Sequence, residues 1–479
     1  MASTRIALRV FAMAALCSAC SGGSNSDDSP DSPPVPPANR APVVARPNSY
    51  QFVSVGTSLN YDATQGGTTF ADEDVRSLIY HVSLLSSPRG LTVNGTRVTG
   101  AFQSVGLVQV SITATDPHGE SVEDTFAIVA PAPEPGRPGL PVTMFTYDDA
   151  KLDLPYWFRF SREQIIPFWD TTPLDNPTTD AGATLGRVLF YDKRLSITNT
   201  ASCGSCHQQA RGFASPEKFS EGFQGEHTKR NAMGLTNVRY NLRNLYFSDV
   251  RARTLEALVP MPIEDPAELG NSLSLLEAKL TATDFYPPLF QAAFGTAEIN
   301  RDRIAKALAQ FLRSLISYRS KFDQAYSELD DPSDPPDPAA TLSSEELRGA
   351  EVFVLGLCGH CHGSAVHTNI DPANNGLDVD FMDAGAGFGA FRVASLRNVG
   401  VSAPYMHDGR FATLREVIDH YDSGVKDSPF LSAILRDLQA EAPLPLNLSE
   451  EDKNALEAFL HTLTDEQLLT DPRFSDPFQ

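Results

Sequence analysis

The sequence predicts a mainly α-helical protein with a small antiparallel β-sandwich near its N-terminal end and two helical domains after it. Three observations predict this arrangement. Residues 43–130 contain short alternating apolar runs separated by turn residues, which is typical of sandwich strands. The rest of the chain shows helical periodicity. Each half of that helical part carries one C-x-x-C-H pentad, at residues 203–207 and 358–362.

Length and charge limit the classes of protein to consider. The chain has 479 residues, enough for about three domains. Hydrophobic residues make up 41% and charged residues 20%, as in ordinary globular proteins. The chain carries 38 Lys and Arg against 60 Asp and Glu, a net charge of −22. This acidity argues against nucleic acid or anionic lipid as a partner.

Residues 1–20 resemble the export signal of a bacterial lipoprotein. Arg5 and Arg9 precede a short apolar run, and the cysteine of the lipobox-like end, Cys20, would carry the lipid. Leu16 lies one place earlier than usual in a lipobox, so a plain signal peptide is the alternative. No later run could cross a bilayer. We expect a periplasmic or cell-surface protein, anchored through Cys20.

The N-terminal part divides by composition. Residues 21–42 are rich in Ser, Gly, Asp and Pro and predict a disordered tether. The sandwich follows at residues 43–130, and residues 131–175 form a Pro-rich linker and lead-in segment. The clearest strand runs are residues 78–82, 108–112 and 125–129.

The sandwich resembles cadherin-like and immunoglobulin-like modules of bacterial surface proteins. The resemblance rests on residues 114–119 and 124–126. Its loops contain four acids that either bind calcium, as in cadherins, or are solvated carboxylates, which is the simpler interpretation. These acids are Asp72, Glu73, Asp74 and Asp116.

The helical part predicts two domains, residues 176–335 and 336–479. Ser343 and Glu346 form a capping box that opens a helix leading to the second pentad. Another helix follows Ser449. A long amphipathic helix in the first domain has its apolar positions at Ile304, Leu308, Phe311, Leu312, Leu315 and Ile316.

The pentads predict two covalently attached c-type haems. In C-x-x-C-H both thiols bond to the porphyrin and the adjacent His binds the iron. A redox pair or half of a zinc site would need partner cysteines or a thioredoxin-like context, which the chain lacks. The predicted attachment residues are Cys203, Cys206 and His207 for the first haem and Cys358, Cys361 and His362 for the second.

Further motifs make the region from residue 176 to the C-terminus resemble the bacterial di-haem cytochrome c peroxidase and MauG family. They are residues 185–192, 194–196, 230–231 and 403–409. The ending, residues 469–477, looks like the subgroup containing MbnH, which oxidises a tryptophan on a partner protein. The resemblance implies two cytochrome c-like helical haem domains; the β-domain lies outside it.

The resemblance implies that hydrogen peroxide is reduced at the first haem. The distal carboxylate of the family corresponds to Glu268. Peroxide binds as an anion, so a base must take its proton and pass that proton to the oxygen that leaves. A surface acid is the alternative interpretation.

The second haem then shares the oxidising equivalents, and its sixth ligand corresponds to Tyr421. The helix opened by Thr413 and Glu416 independently directs Tyr421 inward. An ordinary core tyrosine is the alternative. Met406 and His407 are rival ligands, which we expect to pack beside the haem.

The chain departs from the family at two places. The Trp usual between the haems corresponds to Ser248 or Phe247, within residues 246–249. Tyr246 or Phe247 could substitute for it, since the only tryptophans are Trp157 and Trp169. The distal Gln corresponds to Leu258 or Glu256, depending on the register.

The resemblance also implies a calcium ion between the haem domains. Its ligands correspond to Asn231, Ser402 and Pro404.

We therefore expect a peroxide-dependent di-haem oxidoreductase. It would oxidise a partner protein, as MauG does, or accept electrons from a periplasmic donor cytochrome. A non-catalytic di-haem electron-transfer cytochrome is the alternative.

Overall fold

The computed structural model describes residues 39–148, 154, 170–241, 243–326, 337–364, 366–368, 371–437 and 439–479. The predicted signal peptide, most of the tether and both tryptophans lie outside the described residues.

The N-terminal unit contains two facing sheets, as predicted. The strands are β1 Val43–Val44, β2 Gln51–Phe52, β3 Ser58–Asp62, β4 Phe70–Ala71, β5 Ile79–Leu84, β6 Leu91–Asn94, β7 Arg97–Ala101, β8 Gly106–Thr115 and β9 Ser121–Ala130. One sheet has the strand order β2-β9-β8-β5 and the other β3-β7-β6, with β1 and β4 as a separate pair. The ladders of this unit are antiparallel except that of β2 with β9, where Gln51 pairs with Ile128 in parallel.

The carboxylates in the loops of the sandwich contact polar side chains from the segment that precedes β1. The Arg40 guanidinium pairs with Glu73 and, at 2.8 Å, with Asp74. The Asn39 amide donates to Asp116 at 2.6 Å. No group of three or more His, Cys, Asp or Glu side chains suited to a metal occurs among the described residues. These contacts favour carboxylates held by ion pairs and hydrogen bonds over a calcium site in the sandwich.

The rest of the chain is helical, as predicted, with a long connecting segment after each pentad. The helices of the first unit are α1 Asp180–Tyr191, α2 Cys203–Cys206, α3 Leu255–Leu258, α4 Pro260–Glu264, α5 Leu273–Thr281, α6 Tyr286–Phe294, α7 Arg301–Ser314 and α8 Lys321–Ala325. Those that follow are α9 Ser344–Leu355, α10 Cys358–His362, α11 Leu414–Asp419, α12 Glu450–His461 and α13 Glu466–Thr470, with a two-stranded ribbon of β10 Arg436–Asp437 and β11 Ala442–Pro443. In the described part of the chain, no helix has the length and apolar character needed to cross a bilayer.

The predicted helix starts are confirmed. The Ser343 hydroxyl accepts from the Glu346 amide, and Glu346 reaches back to the amide of Ser343, which completes the capping box of α9. Thr413 and Glu416 do the same for α11. These bonds satisfy amide groups that a helix end would otherwise leave without partners.

Each helical unit is built on one close crossing of two helices. In the first, Gly186 of α1 lies against the backbone of Ala307 in α7. In the second, Gly349 of α9 lies against the backbone of Ala455 in α12. A methyl group at either glycine would overlap the facing carbonyl oxygen. The same crossing therefore brings the helix that precedes each pentad against the last long helix of its unit.

The C-terminal segment returns to the first unit. The Tyr191 hydroxyl donates to the carbonyl of Phe474 at 2.6 Å, and the Phe474 ring is buried in the core of the first unit. Between the units, Arg397 and Asp323 form a buried ion pair at 2.5 Å. The two helical units are thus joined by packing as well as by the chain.

Replacing Gly349 by Ala tests the crossing. Ala has the higher helix propensity and alone would stabilise the helix by about 1 kcal/mol. Because the added methyl group meets the Ala455 carbonyl, we expect a net loss of about 1–3 kcal/mol in the free energy of unfolding. Chemical denaturation of the haem-loaded protein measures it. Gly136→Ala, where a methyl group meets open space, is the control. A G349A protein at least as stable as the parent would contradict the crossing.

Candidate haem sites

Both pentads form short helices that end in a histidine held by the backbone. The Nδ1 of His207 donates to the carbonyl of Phe213 at 2.8 Å. The Nδ1 of His362 donates to the carbonyl of His367 at 3.0 Å. Because Nδ1 carries the proton, Nε2 of each ring is free to bind a metal. Burial lowers the pKa of both His207 and His362, which keeps the rings neutral, as a ligand must be.

The second pentad opens into a cavity of about 310 Å³. Its walls come from both helical units and are mostly apolar. They include the three predicted attachment residues Cys358, Cys361 and His362. A mostly apolar cavity with both thiols and the His at its wall fits a covalently attached haem.

One polar wall residue also fits a haem. Arg392 lines this cavity, and burial lowers its pKa. Its guanidinium has a long contact of 3.6 Å with the Met233 sulfur, and no carboxylate in the described part of the chain forms an ion pair with it. A buried guanidinium without an anion is costly. The carboxylates of a haem would supply that anion.

Tyr421 faces the same cavity. It lies in a π-helical turn, His420–Gly424, that continues α11. Turns of this type are frequent at functional sites. The Tyr421 hydroxyl accepts from the Asn375 amide at 3.2 Å. Burial raises the pKa of Tyr421 to about 12 despite that bond, so the phenol stays protonated in the chain alone.

The other side chains near Tyr421 that could bind a haem iron differ in their surroundings. The Met406 sulfur lies 3.5 Å from the same Asn375 amide, so it shares the cavity with Tyr421. His407 stacks on Phe391, with ring centroids 3.7 Å apart. His420 bonds through Nε2 to the carbonyl of Asn375 at 3.0 Å. His420 is thus engaged outside the cavity wall, His407 lines the wall in a stacked contact, and Met406 is a nearby alternative to Tyr421.

Glu268 lies on a short loop beside the first pentad. The loop follows α4, and the Glu268 amide donates to the carbonyl of Asp265 at 3.0 Å. Gly222 allows the close approach of the neighbouring chain, because a Cβ there would overlap the carbonyl of Ala267. The Glu268 carbonyl in turn accepts from the Phe223 amide at 2.9 Å. The loop is therefore fixed through its backbone.

The environment of Glu268 is suited to proton transfer. Burial, and then the charge of Asp265, raise its pKa to about 7, although Arg251 acts in the opposite direction. Burial also raises the pKa of Cys203 to about 12, and the charge of Glu268 adds to this shift. Glu268 thus lies within electrostatic range of the thiols that would hold the first haem. A carboxyl with a pKa near neutrality can both accept and return a proton.

The residues in the place of the family Trp have different surroundings. Tyr246 is buried in the core of the first unit, and its hydroxyl bonds to Thr171 at 2.7 Å. Ser248 lines the second cavity and accepts from the Arg392 amide at 2.8 Å. The Arg251 guanidinium lies 3.5 Å from the centroid of the Phe247 ring. Tyr246 is the buried aromatic residue of the three.

The two positions that correspond to the distal Gln are structural. Glu256 forms a two-point ion pair with the buried Arg313, at 2.7 and 2.9 Å. Leu258 packs against the core of the first unit. Neither therefore offers a free polar group to a ligand.

The three residues named for calcium lie together. Asn231, Ser402 and Pro404 all line the second cavity. The Asn231 amide nitrogen donates to the carbonyl of Glu217 at 2.9 Å, and the Asn231 side-chain oxygen accepts no hydrogen bond among the described contacts.

Sequence patterns missed Arg392 and Asn375. Both lie in the long connection between α10 and α11, where no periodicity marks an inward position. An arginine without a nearby acid in sequence was the only available signal for Arg392, and it is weak.

Comparison with known proteins adds to this geometry. The family model described as di-haem cytochrome c peroxidase matches residues 180–331. MauG of Methylorubrum extorquens is 32% identical over 317 residues, which cover 64% of this chain and 83% of that protein. Cytochrome c551 peroxidase of Nitrosomonas europaea is 29% identical over 321 residues, covering 64% of this chain and 86% of that protein.

Solved structures show the same likeness. A MauG-like protein associated with microbial copper homeostasis is 33% identical, with a TM-score of 0.57, over 64% of this chain and 96% of that chain. The fold also matches the di-haem peroxidase BthA of Burkholderia thailandensis, at 22% identity and a TM-score of 0.51, over 63% of this chain and 91% of that chain.

Proposed function

The chain belongs to the family of di-haem cytochrome c peroxidases and MauG proteins, and from this premise we propose how its residues divide the work. It is a di-haem enzyme with peroxidase or MauG-like activity rather than an electron carrier. We assign the peroxide site to residues 176–335 and the second haem to residues 336–479. The observation that carries this division is the difference between the two pentad sites. Glu268 lies beside the first, and Tyr421 faces the second.

Glu268 moves the proton at the first site. When bound, the haems supply the iron that takes up peroxide and the redox equivalents. Cys203, Cys206 and His207 hold the first of them. Glu268 accepts a proton from one oxygen of hydrogen peroxide and returns it to the other, which leaves as water. Its pKa of about 7 supports both halves of this transfer near neutral pH.

Tyr421 is the proposed sixth ligand at the second site, where Cys358, Cys361 and His362 hold the haem. A phenolate oxygen favours the more oxidised state of a metal, whereas a thioether sulfur such as that of Met406 favours the reduced state. Tyr421 therefore supports oxidation of a partner protein over electron uptake from a donor cytochrome. Asn375 donates a hydrogen bond to the Tyr421 hydroxyl and so orients it.

We also propose one calcium ion held by the Asn231 side-chain oxygen and backbone carbonyls of Ser402 and Pro404. The free side-chain oxygen of Asn231 and the shared position of the three residues support it. Oxygen ligands of this kind suit calcium. Elemental analysis after dialysis decides the matter: one calcium per chain is expected, and none would contradict the site.

Export and lipid attachment rest on the first 20 residues, which lie outside the described residues. We propose a periplasmic or cell-surface enzyme bound to a membrane through Cys20. The mass of the N-terminal peptide of the mature protein distinguishes a lipidated Cys20 from a plain cleaved end.

Replacing Glu268 by Gln tests the proton transfer. The parent should consume peroxide faster as the pH rises through about 7, because Glu268 must lose its proton before it can accept one. The variant should lose this rise, and its kcat/KM for peroxide should fall by about 10²–10⁴-fold. Glu264→Gln, an exposed acid four residues earlier, is the control. An E268Q enzyme with the parental rate and pH profile would refute the assignment.

Replacing Tyr421 by Phe tests the ligand. We expect the optical and electron paramagnetic resonance spectra of the second haem to lose their six-coordinate low-spin form, because the phenolate is removed. Two residues of the same cavity provide controls. Tyr405→Phe removes a phenol that bonds to the carbonyl of Val399 at 2.9 Å, and Met406→Leu removes the rival ligand. Neither should change the coordination. A low-spin spectrum that survives Y421F but not M406L would assign the ligand to Met406.

A further inference from the structure

The β-sandwich is packed against the first haem unit through an apolar contact. In β8 and β9, alternate residues enter the sandwich core, and the others face outward. At one end the outward residues are apolar: Leu107, which pairs with Val129 across the ladder, and Ala127. They form a cluster with Ile197 and Phe223 of the haem unit, and all five are at most 9% exposed.

The two haem-unit residues in this cluster also hold the Glu268 loop. The Phe223 amide donates to the carbonyl of Glu268 at 2.9 Å. The Ile197 amide donates to the carbonyl of the next residue, Leu269, at 3.0 Å. The Phe223 ring lies so close to Gly270 that a Cβ there would overlap it. The sandwich therefore covers the two residues whose amides fix consecutive carbonyls of the loop.

The segment after β9 reinforces the contact. The Ala132 amide donates to the carbonyl of Thr198 at 2.8 Å. Glu134 pairs with the buried Arg194 at 2.7 Å. This segment, which composition predicts as a linker, thus bonds to the same connection that contains Ile197. The sandwich is attached beside the loop rather than free on a tether.

We infer that the β-sandwich positions the peroxide site, because Leu107 and Val129 hold Phe223 and Ile197 against the loop of Glu268. The inference rests on the role proposed for Glu268. Leu107 and Val129 are positioning residues, since they act through the loop.

The test uses the full-length, haem-loaded enzyme with Leu107→Ser and Val129→Ser as separate variants. Both substitutions leave the inward-facing core of the sandwich unchanged. Ile79→Ser, on the edge strand β5 of the same sheet and 72% exposed, is the control. Leu107→Met restores an apolar side chain of similar volume and should behave as the parent.

Hydrogen exchange measures the positioning without any turnover. We expect the peptides that contain the amides of Ile197 and Phe223 to exchange about tenfold faster in both Ser variants, because their apolar cover is lost. The second-order rate constant for peroxide should fall by about ten- to a hundredfold, since misplacement of about 1 Å can cost this much. The spectrum of the second haem should stay unchanged.

Parental exchange at both peptides, or faster exchange with a parental rate, would overturn the inference. If a substitution unfolds the sandwich, the contact is lost as well. Faster exchange and a lower rate constant are then still expected, and parental values of either would still overturn the inference. If the parent itself does not react with peroxide, the proposed function fails instead. Hydrogen exchange then still decides whether the sandwich holds the loop.

Discussion

The close crossing of two helices at a glycine is the constraint on which each haem unit depends. Gly186 and Gly349 occupy corresponding places, each on the helix that leads to a pentad and each against an alanine backbone. Because a larger residue would separate the helices, this contact fixes where the pentad begins relative to the rest of its unit. The backbone carbonyl that receives the Nδ1 proton of each pentad histidine then fixes the orientation of the ring. One scaffold is thus used twice.

The two haem sites differ in the side chains that lie near the pentad. The first has Glu268, which burial makes a weak acid near neutrality. The second has Tyr421, close to Met406, with a single amide, that of Asn375, in reach of both. The same scaffold can therefore serve proton transfer in one unit and ligand control in the other. The asymmetry comes from the loop of Glu268 and the π-helical turn of Tyr421 rather than from the crossing pair of helices that both units contain.

Local signals in the sequence predict the helices and strands, but they do not predict the contacts between residues that are distant in the chain. Capping boxes such as Ser343 with Glu346 mark helix starts because the bonds involve neighbours in the chain. Strand alternation likewise predicts the sandwich. Arg392 and Asn375 could not be found in this way, since their partners are distant in sequence and lie around a cavity. Leu107 did carry a signal: it is an apolar residue at an outward position of a strand, where a solvated face would be polar.

Leu107, which faces outward from the sandwich, links the packing of the β-domain to the proton transfer proposed for Glu268. Burial, with the charge of Asp265 adding to it, brings the pKa of Glu268 near neutrality, so this pKa depends on what covers the short loop. Here the cover includes residues of a domain that the peroxidase resemblance does not contain. The haem unit presents Ile197 and Phe223 as a buried apolar surface, and both donate their amides to the loop of Glu268. Losing the sandwich would expose this surface and the loop together, so the added domain and the acid belong to one structural unit.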